Sequence, residues 1–176
     1  PFLLFIGARD RYKNFNNFIK AYSKSEKMNK DFNIICFGGG NFSSDEINLF
    51  KKLKVFDYIH KEENNDDQTL LTLYKSAKCL VYPSAHEGFG LPPIEAMSLG
   101  CPTITSDHVG IMEGVGSASA TFDSNNILQI QMVMEEYLYS NDKLKELIDL
   151  GKVQSKKFSW DKCVSETLDV YKKLLD

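Results

Sequence analysis

Short apolar runs and helix-patterned segments alternate along this chain from one end to the other, and that alternation leaves few folds open. Phe2–Gly7, Phe32–Phe37, Val55–Ile59, Cys79–Tyr82, Pro102–Thr105 and Ala118–Phe122 read as strands. Phe2–Gly7 and Cys79–Tyr82 are apolar on successive positions, as strands buried on both faces are. Between them, apolar residues recur at helical spacing: Phe15, Phe18, Ile19 and Tyr22; Ile47, Leu49, Phe50 and Leu53; Leu70, Leu71, Leu73 and Tyr74. Asn14 or Asn16 is placed to cap the first of these helices, and Ser43 or Ser44, followed by Asp45 and Glu46, the second. Three helices close the chain, over about 126–139, 142–158 and 160–175.

Strands alternating with helices imply a parallel sheet covered on both faces. Right-handed crossovers make the doubly wound, Rossmann-like α/β arrangement the expected fold, here as a single domain. Its common strand order, 3-2-1-4-5-6, sets the first and fourth strands side by side where the winding reverses. Ligands bind beyond the carboxyl ends of the strands at that point. The Arg9–Lys13 loop and the segment beginning at Pro83 are therefore expected to face one another.

That second segment, PSAHEGFGLPPIE from Pro83 to Glu95, carries most of the chemistry. A strand that turns through Gly88 and Gly90 into a prolyl helix start presents backbone N–H groups at a helix head, which attracts phosphate. Glu87 and Glu95 are acceptors suited to hydroxyls. Glu95, in the first helical turn, fits a vicinal diol such as a ribose, or simply complements the helix dipole. Glu87 fits a sugar ring or its developing positive charge. A glycosidase-type acid/base pair is disfavoured, because that needs carboxylates on opposite sides of one bond and both arise here from one short segment.

Arg9, Arg11 and Lys13 follow the first strand, where cations suit a diphosphate; Arg11 reads as a solvated loop charge. Gly38-Gly39-Gly40 follows the second strand, either as a tight turn or as backbone lining the cleft. It does not match G-x-G-x-x-G. Ser106–Gly116 is expected as a loop, at a second ligand edge or as a surface turn. His60, His86 and His108 lack ligand spacing and no Asp-x-Asp occurs, so no metal is expected.

Composition narrows the classes further. A net charge of −3 gives no support for nucleic-acid binding. The four cysteines are scattered, and Cys36 and Cys79 fall within strands, which fits buried thiols in a reducing cytoplasm. No apolar stretch approaches the roughly 18–20 residues of a spanning helix. The chain opens at Pro1 directly into an apolar run, as a domain excised from a longer protein would.

At this point the residues resemble a known family. Gly7-Ala8-Arg9 with Tyr12-Lys13-Asn14, Pro83-Ser84, Glu87-Gly88-Phe89-Gly90-Leu91-Pro92, Glu95-Ala96-Met97, Gly100-x-Pro102, Glu113 and Phe158-Ser159-Trp160 look like the C-terminal half of a retaining glycosyltransferase of GT-B fold, group 1 (family 4). The resemblance implies a donor domain for a nucleotide-diphosphate sugar, without a metal or other cofactor. Arg9 and Lys13 would neutralise the departing diphosphate, and Glu87 would face the donor sugar. Gly88, Phe89, Gly90 and Leu91 would contact sugar and phosphate, Glu95 would hold the ribose, and Gly7 and Gly39 would line the cleft. A glycan or lipid-linked acceptor would be bound by an absent N-terminal domain, which could also carry peripheral membrane attachment. The isolated domain is expected to be inactive.

Two alternatives remain at this level: a sugar-nucleotide epimerase, and a non-catalytic module that binds nucleotide sugars. A nicotinamide site lacks its glycine fingerprint. The apolar stripe Trp160, Val164, Leu168, Tyr171 and Leu175 is expected to pack on the chain's own sheet or to reach a partner domain.

Overall fold

The computed structural model describes residues 1–175. Six parallel strands run in the order β3-β2-β1-β4-β5-β6. They are β1 (Phe2–Ile6), β2 (Asn33–Phe37), β3 (Ile59–Lys61), β4 (Cys79–Tyr82), β5 (Thr103–Ser106) and β6 (Ala120–Phe122). The helices are α1 (Phe15–Ser23), α2 (Glu26–Asp31), α3 (Ser44–Lys52), α4 (Asp67–Ser76), α5 (Leu91–Ser98), α6 (Val109–Val115), α7 (Ile127–Leu138), α8 (Asn141–Ser155) and α9 (Trp160–Leu175). This is the doubly wound order expected from the alternation, with β1 beside β4.

Successive strand residues serve opposite layers, which explains the unbroken apolar runs. Leu3 and Phe5, with Cys79 and Val81, join one core against α1, α3 and α7. Leu4 and Ile6, with Leu80 and Tyr82, join the other against α4, α5 and α6. Phe5, Phe15 and Phe18 are almost wholly buried, and the Phe5 and Phe15 rings pack 4.7 Å apart. Truncating any of these to alanine is worth about 3–5 kcal/mol. Cys36, Cys79 and Cys101 are buried free thiols. Burial pushes the Cys36 and Cys101 thiols up to about 12.

Three expectations are corrected, and one helix was not foreseen. The third strand begins at Ile59, not Val55, because Lys54 turns left-handed (φ 60°) and Phe56–Tyr58 forms a single 3-10 turn. Asn14 precedes α1 at φ 57° but its side chain does not cap the helix; the amide instead donates to the carbonyls of Pro83 (3.2 Å) and Ser124 (2.6 Å). The Ser106–Gly116 segment contains a helix, α6, rather than a loop. Helix α2 had no apolar period to announce it, since only Met28 of its six residues is buried. Ser43 caps α3 as expected, in a full capping box with Glu46.

Candidate active site

The site assembles at the carboxyl ends of β1 and β4. A backbone bond from Ala85 N–H to the Tyr12 carbonyl (2.7 Å) closes one loop on the other. The Asn14 amide adds its bond to Pro83 from the same turn. The Lys13 ammonium is thereby delivered to the start of the glycine segment. Nζ donates to Glu87 Oε1 at 2.6 Å and to the Tyr82 hydroxyl at 3.0 Å, and that hydroxyl donates to the same Oε1 at 2.8 Å. Both charged side chains retain only about one-seventh of their surface, 14% for Lys13 and 15% for Glu87.

Burial is the largest influence on both groups, raising the carboxyl and lowering the ammonium; their mutual hydrogen bond and charge outweigh it. The Glu87 carboxyl is held below its usual range, with help from the Tyr82 hydroxyl and the nearby Ser84. Lys13 is raised above its own. The Ser84 hydroxyl is buried and makes no hydrogen bond of good geometry.

Arg9 has a different environment from the one expected. Its Nε meets Glu46 Oε1 at 2.7 Å, and its terminal nitrogens donate to the carbonyls of Gly38, Gly39, Gly40 and Asn41 at 2.9–3.2 Å. The side chain is 3% exposed and stacks over Phe42. Its charge is absorbed by the glycine loop and the head of α3, not held free beside Lys13. Gly39 is needed there: at φ 74°, a Cβ would stand 2.7 Å from Arg9 Nη1 and 2.8 Å from the Gly7 carbonyl. Gly7 underlies the Lys13 side chain, its empty Cβ position 3.8 Å from Lys13 Cε. Arg11 is exposed, and its guanidinium makes no hydrogen bond or ion pair among the described residues, although its carbonyl accepts from the Asn14 N–H.

Gly90 caps α5 with no side-chain hydrogen bond, and Pro92 and Pro93 follow within its first turn. Because neither proline carries an N–H, the donors at this helix head are fewer than a generic head offers. The N–H groups of Gly88, Phe89, Gly90 and Leu91 meet no protein acceptor among the described residues. They line the turn between the two glutamates. Glu95 stands on the exposed side of α5 and receives the Tyr74 hydroxyl on Oε2 at 2.9 Å. Each glutamate is thus held by a tyrosine rooted in the same core. Glu95 also lines a cavity of about 750 Å³ beneath α9, together with Phe89, Leu91 and Trp160. A second cavity of about 710 Å³ lies between the Arg9 loop and the head of α3. Neither is lined by Lys13 or Glu87.

Tyr74, Tyr82 and Gly110 were not expected from the sequence to contribute to the site. A tyrosine ending a buried strand requires a partner for its hydroxyl, and that was the available signal for Tyr82. Gly110 of α6 packs on the glutamate segment so closely that a Cβ would lie 2.0 Å from the Glu87 carbonyl. No cluster of three or more His, Cys, Asp or Glu side chains able to hold a metal occurs among the described residues.

Doubly wound domains bind ligands at the switch point, and there this one carries a cation, two carboxylates and unpaired N–H groups. The chain belongs to the glycosyl transferases group 1 family, whose family model it matches over residues 1–154. It is 31% identical to the O-antigen chain mannosyltransferase B of Escherichia coli over 176 residues, 98% of this chain and 46% of that protein. It is 30% identical to an MMP alpha-(1->4)-mannosyltransferase of Mycolicibacterium hassiacum over 131 residues, 72% of this chain and 32% of that protein. The chain therefore spans less than half the length of these relatives.

Among solved structures, it superposes on sucrose-phosphate synthase from Thermosynechococcus elongatus with TM-score 0.85 at 21% identity, over 99% of this chain and 45% of that one. The C-terminal domain of a group 1 glycosyl transferase (LpcC) from Francisella tularensis matches with TM-score 0.77 at 19% identity, over 89% of this chain and 85% of that one. At these identities the likeness is one of fold, the GT-B glycosyltransferase half-molecule. Among the described residues no helix is long and apolar enough to cross a membrane.

Proposed function

We propose that this chain is the donor-binding domain of a retaining glycosyltransferase. It takes a nucleotide-diphosphate sugar and, with an N-terminal acceptor domain, transfers the sugar to a glycan or lipid-linked acceptor. The observation that carries this reading is the half-buried Lys13–Glu87 pair beside the unpaired N–H groups of Phe89, Gly90 and Leu91. A diphosphate needs cation and donors; a sugar needs a carboxylate acceptor. The two are here side by side.

In this reading Lys13 leaves Glu87 to meet the diphosphate, and the N–H groups at 88–91 receive its oxygens. Positive charge fixed in advance lowers the barrier to expelling that leaving group. Glu87 then faces the donor sugar, and Glu95 offers its remaining oxygen to the ribose hydroxyls. Arg9 serves the site indirectly, fixing the Gly38–Asn41 backbone along the cleft. Gly7 leaves room for Lys13 to swing. Same-face attack, without a protein nucleophile, gives retention. No metal is assigned a role.

The family relatives are named as mannosyltransferases, which favours a hexosyl donor. Helix α9 supports a two-domain protein: Trp160, Val164, Leu168 and Tyr171 are each at least half exposed, leaving an apolar stripe that suits contact with the acceptor domain.

A thermal-shift panel of ADP, GDP, UDP and their sugars tests the reading on this chain. One base series should raise the melting temperature by several degrees, as a ligand specific to the folded state does. Lys13→Ala should abolish the rise. No shift with any diphosphate, at millimolar concentration, overturns the proposal.

A further inference from the structure

We infer that Tyr82 is a positioning residue that keeps Glu87 ionised and aimed once Lys13 has been drawn to the diphosphate. The inference rests on the donor-site reading above and adds to it a hand-over between two states of one carboxylate.

The geometry is a closed triangle. Lys13 Nζ, Tyr82 Oη and Glu87 Oε1 are mutually within 2.6–3.0 Å. Without a ligand the ammonium and carboxylate neutralise each other, so the pair must open before Lys13 can serve an anion. Opening leaves Glu87 buried without its cation, which by itself favours protonation. The Tyr82 hydroxyl has one proton and two lone pairs. It accepts from Lys13 and donates to Glu87, so losing Lys13 costs it an acceptor role and leaves its donation intact. The ring is anchored in the core at 2% exposure, at the end of β4, and does not follow the lysine.

The groups acting on the Glu87 carboxyl are Lys13 from a 3-10 turn over Arg11–Lys13, Ser84 from its own loop and Tyr82 from β4. Helix α6 packs Gly110 on the Glu87 carbonyl; it carries Glu113, and His108 caps its start.

The test is a carbon-13 titration of the Glu87 carboxyl in this chain. Tyr82→Phe keeps the ring and its packing and removes only the hydroxyl. Lys13→Met mimics the withdrawn lysine without any ligand. The Glu87 midpoint should rise by about one pH unit more in the Lys13→Met/Tyr82→Phe double variant than in Lys13→Met alone. With saturating GDP, UDP or ADP, whichever binds, the midpoint should move little in the native chain and by about one unit in Tyr82→Phe. Equal midpoints with and without the hydroxyl, in both settings, overturn the role of Tyr82 and leave the donor site standing. If no diphosphate perturbs Lys13 or Glu87 in the folded chain, the donor-site reading fails and the hand-over fails with it.

Discussion

Lys13 Nζ lies 2.6 Å from Glu87 Oε1, across 74 positions of sequence. The doubly wound order makes this contact: β1 and β4 are neighbours, and their carboxyl ends open at one edge. If the pair prepares a diphosphate site, removing the cation should weaken binding more than it weakens the fold. Lys13→Ala in a full-length protein should lower kcat/KM by about 100-fold or more, as loss of a preorganised charge contact does. Steady-state kinetics with the cognate donor measure it, and near-native turnover would remove Lys13 from the mechanism.

The same pair gives stability a defined pH dependence. The Glu87 carboxyl is depressed in the fold, so its contribution is present above its ordinary value of 4.5 and is lost as pH falls through the folded value. Lys13 is raised, so its contribution is full below its ordinary 10.5 and is lost as pH rises through the folded value. The urea midpoint difference between the native chain and Glu87→Gln should be constant around neutrality and shrink toward both extremes.

Arg9 should behave as a structural residue. Its bonds to Glu46 and four loop carbonyls predict that Arg9→Ala destabilises by about 3–5 kcal/mol in urea unfolding, as loss of a buried charge partner does. Glu46→Gln should reproduce part of that loss. Diphosphate affinity measured by calorimetry, well below the melting temperature, should fall less in Arg9→Ala than in Lys13→Ala.

Gly110→Ala places a methyl group 2.0 Å from the Glu87 carbonyl, against backbone that cannot rotate away. The loop or α6 must shift, so both melting temperature and donor affinity should drop. Val109→Ala, one residue earlier and 78% exposed, is the matched control and should change neither.

On α9 the stripe is unburied, and its removal should be nearly free. Leu168→Ser and Tyr171→Ser should each change the stability of this chain by no more than about 0.5 kcal/mol. In a two-domain protein the same changes should lower the melting temperature by several degrees.

The fold was legible because β1 and β4, the two central strands, are apolar at every position, and Cys79–Tyr82 matches β4 residue for residue. Meeting of the two loops followed from strand order alone. What sequence could not show was how side chains divide the work. Arg9 and Lys13 look equivalent in GARDRYKN, yet α3 supplies Glu46 to one and β4 supplies Tyr82 to the other. Both partners are remote in sequence. Gly110 and Gly114 read as turn residues, whereas they lie inside a helix, bare-faced toward the carbonyls of Glu87, Gly88 and Phe89. Close approach, rather than a turn, is the reason for glycine there.

Chemical-shift mapping of this chain with a saturating nucleoside diphosphate tests the shared site most directly. The expected result is perturbation of the Lys13 ammonium, the Glu87 carboxyl and the N–H groups of Phe89, Gly90 and Leu91 together. Perturbations confined to the cavity beneath α9 or to the Arg9 loop, with the Lys13–Glu87 pair unmoved, would contradict it.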